Sequence, residues 1–79
     1  MPLIILPSTP ATENASTYLT QQEVAHQVIM VPESLGYKTG SDLAIYLSTE
    51  VYASHGDIAM LLTRQRFVVM RVFKDFSLS

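Results

Sequence analysis

The sequence predicts an α+β fold: one small domain with an N-terminal strand, two or three helices and a C-terminal strand, all within 79 residues. Three observations lead there. Leu3 to Leu6 form an unbroken apolar run between Pro2 and Pro7. Apolar residues recur at helical spacing in two stretches of the middle. The segment Arg66 to Phe76 (RFVVMRVFKDF) is dominated by β-branched and aromatic residues, the composition of a strand.

Residues 1–6 read as a strand, or as an arm laid on another subunit. Residues 7–18 are rich in Ser, Thr and Pro and read as an extended connection. From residue 19 to 79 the chain reads as a helical body followed by the C-terminal strand. Thr20 and Glu23 have capping-box spacing, and Leu19 stands where it can staple onto Val24, so a helix is expected to start at Thr20. Val24, Ala25, Val28 and Ile29 line one face of it, and Pro32 stops it. Pro32 also suits the start of a short helical turn through Leu35. Two glycines, Gly36 and Gly40, then mark a turn.

Leu43, Leu47 and Val51 recur at intervals of four, which predicts a second helix over residues 42–54, capped by Thr39 or Ser41 and closed by Gly56. Asp57 suits the cap of a third short helix through Ile58, Leu61 and Leu62. Residues 57–65 also admit a strand reading, in which Ile58 to Leu62 forms a hairpin with Phe67 to Val72. The terminal strands can make only a two-stranded sheet between them, and such a sheet is marginal alone. Completion across a two-fold axis, by dimerisation, is therefore expected.

Composition narrows the function classes. Charged residues make up 15% of the chain, short of the roughly 25% typical of soluble domains, and a weakly charged surface favours association. The chain has no cysteine, so disulfides, thiolate catalysis and cysteine-based zinc sites are excluded. No window resembles a membrane span, and Met1 to Leu6 reads as a mature strand, not a signal core, so a cytoplasmic location is expected, the host cytoplasm if the chain is viral. Charge is polarised along the chain. Residues 1–63 carry Lys38 against six acids, a net of −5, and residues 64–79 carry Arg64, Arg66, Arg71 and Lys74 against Asp75, a net of +3. Such asymmetry points to a binding surface for an acidic partner or a nucleic acid.

Two candidate binding surfaces follow. For a protein partner, the residues are the bases Arg64, Arg66, Arg71 and Lys74 together with the apolar Leu3, Ile4 and Ile5. For a nucleic acid, Leu19 to Tyr37 resembles the first helix and turn of a helix-turn-helix module. Ala25 stands at the small position, Val24 and Val28 at core positions, and Pro32, Glu33 and Ser34 at the start of a recognition helix. That resemblance implies contacts from Gln21, Gln22, Ser34, Tyr37 and Lys38. It is incomplete, since Ile29 occupies the position of the usual turn glycine. The bases of the C-terminal strand alternate with Phe67, Phe73 and Phe76, as in sheets that stack single-stranded bases, but no single face gathers both ring and charge.

Catalytic ingredients are few. His26 and His55 form no HExxH pair, and Ser54, His55 and Asp57 are neighbours around a glycine, where a turn is the ordinary outcome. Gly36 to Ser41 lacks P-loop spacing. No catalytic residue, cofactor or metal ligand is assigned. The expected function is that of a small non-enzymatic regulator or inhibitor of the kind phages and mobile elements encode, acting by protein contact. Its alternative is a helix-turn-helix DNA-binding regulator.

Overall fold

The computed structural model describes residues 2–36, 41–47, 51–52 and 56–76, with backbone alone at 51–52. The order of elements is β1 (Leu3–Ile5), α1 (Thr9–Gln21), β2 (Gln27–Met30), a 3₁₀ turn (Glu33–Leu35), β3 (Leu43–Tyr46), β4 (Val51–Tyr52), β5 (Gly56–Asp57), α2 (Ile58–Arg64) and β6 (Arg71–Phe73). The α+β class and the strands near both ends stand as the sequence predicts.

Helix α1 occupies the segment expected to be a connection. Ser8 caps it, its hydroxyl accepting from the Ala11 N–H at 3.1 Å, and Pro10 sits in the first turn, where no backbone donor is needed. The buried stripe is Thr12, Ala15 and Leu19, flanked by Ala11 and Tyr18. These positions have helical spacing, but the stripe is written mostly in Ala and Thr. The hydroxyls of Thr12, Thr17 and Thr20 donate to carbonyls four residues back, so the helix satisfies them itself.

The helix expected from Thr20 to Pro32 is not there. Helix α1 ends at Gln21, and residues 27–30 form a strand. The Leu19 and Val24 pair taken for a starting staple is the apolar contact of a Schellman ending. The Val24 N–H donates to the Leu19 carbonyl and the Glu23 N–H to the Thr20 carbonyl, with Glu23 at φ 60°. The same five-residue spacing serves both motifs. The 3₁₀ turn after Pro32 is as expected.

The helix expected over 42–54 is also replaced, here by strands β3 and β4. A spacing of four returns a side chain to the same face of a strand as well as of a helix. The third helix is correct: α2 is capped by Asp57, whose carboxylate accepts from the Met60 N–H at 3.2 Å, which excludes the hairpin reading. Of the long C-terminal strand only Arg71–Phe73 pairs. Before it, Arg66 (φ 71°) and Phe67 close α2 in a second Schellman ending, with N–H bonds to the Thr63 and Leu62 carbonyls.

The main sheet has the order β2-β3-β1-β6, every neighbouring pair antiparallel. Strands β1 and β2 thus run parallel with β3 between them, and β3 and β6 run parallel with β1 between them. This is the split β-α-β, or ferredoxin-like, arrangement, with the small β4–β5 hairpin inserted before α2. The sheet reaches four strands within one chain, so the physical reason for completing it by dimerisation at β1 and β6 disappears.

Both helices cover one face. Ile4, Leu6, Ile45 and Leu47 meet Ala15 and Leu19 of α1 and Ile58 and Leu62 of α2 there. The opposite face is a second core. Leu3, Ile5 and Ala44 are fully buried beneath Val31, Leu35, Tyr46, Phe73 and Phe76, so the chain itself covers the side for which a second subunit was expected.

Candidate functional site

The two lateral strands of the sheet differ in how they are guarded. Strand β6 is three residues long, begins with Arg71 and is followed by Lys74, so it is short and flanked by cations, two common protections of a sheet edge. Strand β2 (QVIM) carries no charge, no proline and no bulge.

The register shows which backbone groups β2 presents. Gln27, Val28, Ile29 and Met30 pair with Tyr46, Ile45, Ala44 and Leu43, and the Val31 N–H donates to the Asp42 carbonyl at 3.0 Å. In an antiparallel ladder, hydrogen-bonded and non-bonded pairs alternate. Val31, Ile29 and Gln27 therefore face β3, while the N–H and C=O groups of Val28 and Met30 point away from it. Among the described residues no strand pairs with that side. Val28 and Met30 are also exposed, at 39% and 76%, as are Met60, Val68 and Met70 among the described residues. Val28 and Met30 share the helix-side face, while Ile29 is half-buried against the second core.

The loop entering β2 is fixed by a contact that sequence reasoning missed. His26 Nδ1 lies 2.8 Å from the Val24 carbonyl oxygen, and its Nε2 lies 2.6 Å from the Ser16 Oγ of α1. A carbonyl only accepts, so Nδ1 carries the hydrogen and hydrogen-bonds the Val24 carbonyl, while Nε2 and the Ser16 hydroxyl share the second hydrogen bond. The geometry is that of a nucleophile beside an oriented base. Ser16 sits inside α1, however, where the helix ladder occupies the neighbouring N–H groups and aims none at a developing oxyanion. The pair acts as a clip that ties α1 to the start of β2. Nothing in the sequence signals it, because the two residues come together only through the turn at 22–26.

The residues expected to bind a protein partner are dispersed. Leu3, Ile4 and Ile5 lie in an inner strand with at most 1% exposure and can touch no partner, which corrects that part of the expectation. Arg64 is exposed in the last turn of α2, where its charge complements the helix end, and Arg66 follows in the exposed closing turn. Arg71 lies 4.9 Å from the Phe73 ring centroid, on the same face of β6, a cation–π distance. Lys74 stands near Pro2 and Asp57 around a cavity of about 60 Å³, too small for an organic ligand. A shallow open groove of about 410 Å³ between the 3₁₀ turn and residues 73–76 exposes parts of Phe73 and Phe76.

The nucleic-acid surface does not assemble. Gln21 and Gln22 end α1, a strand follows instead of a second helix, and Ser34 lies in the 3₁₀ turn, so residues 19–36 contain no helix-turn-helix. Tyr37 and Lys38 lie outside the described residues, as do His55 and Ser54 of the local Ser-His-Asp set. Asp42 precedes a strand, so no helix N-terminus follows the Gly36 to Ser41 segment. The three phenylalanines are engaged: Phe67 against Tyr18 at 6.0 Å, Phe76 edge-on to Tyr46 at 5.9 Å, and Phe73 against Arg71. Among the described residues no group of three His, Asp or Glu side chains could hold a metal, and no helix is long and apolar enough to cross a membrane.

Fold and edge together define a class: a four-stranded split β-α-β sheet layered with two helices, with one lateral strand short and cation-flanked and the other, among the described residues, unpaired on its outer side. Comparison of the chain with protein-family models, with curated proteins and with solved structures gives no match.

Proposed function

We propose that the protein is a small non-enzymatic regulator or inhibitor that works through protein–protein contacts, and that it makes them along the outer side of β2. The observation that carries this reading is the pairing of outward-facing backbone groups with exposed apolar side chains at the same two residues, Val28 and Met30. An extended segment added there gains main-chain hydrogen bonds from the edge and buries the exposed apolar groups, the recurrent mode of strand addition. Hydroxyl and carboxylate groups that suggest chemistry are instead used by the fold: Ser16 in the His26 clip, Asp57 in the α2 cap, Thr12 and Ser41 in a buried contact at 3.1 Å. A cytosolic setting belongs to the same proposal, since a chain without cysteines has no need of an oxidising compartment.

A photoreactive amino acid in place of Met30, expressed in the source cells, tests this. Irradiation is expected to give a discrete protein–protein adduct, absent when the probe replaces the exposed Glu13 on α1. Equal labelling from both positions, or adducts with nucleic acid alone, would remove the reading.

A further inference from the structure

We infer that the partner taken by the β2 edge is a second copy of this chain, joined strand to strand across a two-fold axis perpendicular to the sheet. The inference rests on the reading of β2 as the binding surface and adds the occupant and its register. A two-fold axis makes an antiparallel ribbon from two identical edges, so any edge is geometrically self-complementary and what decides is whether side chains and backbone conflict. Here they do not. Outward-facing groups must meet outward-facing groups, which sets Val28 opposite the partner's Met30, and Met30 opposite the partner's Val28.

In that register Ile29 meets its own symmetry copy on the axis, and Gln27 meets Val31. No like charges oppose one another, because residues 24–32 contain no acid, lysine or arginine. Met30, the most exposed of the large apolar residues among those described, is covered by Val28 on the same face.

Other registers lose something. Sliding the two strands so that Met30 faces Met30 sets Val28 against Pro32, which has no N–H to give. Sliding the other way sets Met30 against His26 and takes the apolar Val28 away from it. The chosen register uses β2 and Val31 alone. It joins the two four-stranded sheets into one, with β6 of each copy as the new outer strands. Both of those are the short, cation-flanked strands, so among the described residues the joined sheet ends on guarded edges. Helix α1, which packs over β3 and β2, lies on the same side of the sheet in both copies.

The contact is short, so the dimer belongs to the weak class and forms with rising concentration. Sedimentation equilibrium from about 10 µM to 1 mM is expected to show the mass climbing from the 8.8 kDa monomer toward twice that value. Isotope-filtered NMR on a mixed sample is expected to show contacts between Val28 of one copy and Met30 of the other. Met30→Lys is expected to weaken association about tenfold or more at an unchanged unfolding midpoint, since Met30 is mostly solvent-exposed in the monomer. A monomer at 1 mM overturns the inference, as does a dimer whose intermolecular contacts avoid β2. A monomer that still yields a Met30-dependent adduct with a different protein overturns the second copy while leaving the binding edge intact.

Discussion

Glu23 and Arg66 hold the same post in two different helices. Each is the first residue beyond the cap of a Schellman ending, each has a left-handed backbone (φ 60° and 71°), and each is exposed. Glycine favours that position because a side chain there costs about 1–2 kcal/mol. Neither side chain has a packing role that would be lost. Glu23→Gly and Arg66→Gly are each expected to stabilise the protein by roughly 0.5–1 kcal/mol, raising the thermal midpoint by a few degrees in calorimetry. A loss of stability at both sites would mean that the side chains contribute contacts beyond the turn. The same two residues account for a misreading at this scale. A glycine at 23 would have marked the end of α1, whereas a glutamate three residues after a threonine imitates a capping box.

At the scale of elements, α1 shows how composition can mislead. PSTPATENAST looks like a linker because Ser, Thr and Pro dominate it, yet each is placed for a helix: Ser8 as cap, Pro10 in the first turn, Thr12 buried with its hydroxyl bonded to the Ser8 carbonyl at 3.0 Å. Ser8→Ala removes the cap bond and is expected to cost about 1 kcal/mol, measured as a lower denaturation midpoint. Restoration by Ser8→Asp would confirm the cap as the cause. Strand β3 misleads in the opposite sense. It is an inner strand, buried on both faces, so Leu43 to Leu47 is apolar throughout and shows no alternation. Its leucines four apart then pass for one stripe of a helix. By contrast, α2 was legible because Asp57 provides a cap and Ile58 and Leu62 provide the buried pair one turn apart.

At the scale of the whole molecule, everything is organised around β1. Its three residues lie between β3 and β6, with Leu3 and Ile5 in one core and Ile4 in the other. Ile4→Asp and Ile5→Asp should therefore behave alike: each buries an unpaired carboxylate, and the cooperative unfolding transition is expected to vanish in both. If the second face were open to solvent, Ile5→Asp alone would remain folded, so comparing the pair by circular dichroism checks the two-core architecture directly. The whole-molecule view also moves the proposed binding surface. Reading the sequence assigned it to Leu3 to Ile5 and the C-terminal bases, the most apolar and most basic stretches. The fold buries the first and spreads the second, and it leaves β2 at the margin.

What the amino-acid order alone determined is what local chemistry can encode: the α+β class, an apolar strand near the N-terminus, a strand within Arg66 to Phe76, the turn after Pro32 and the Asp57-capped helix. Which strands stand inside and which at the border was decided only by tertiary structure. Identical backbone ladders can be closed in several orders, and the choice depends on how β1 shares its two faces between separate cores. That choice alone exposes Val28 and Met30, residues that in the sequence look like any others of an amphipathic segment.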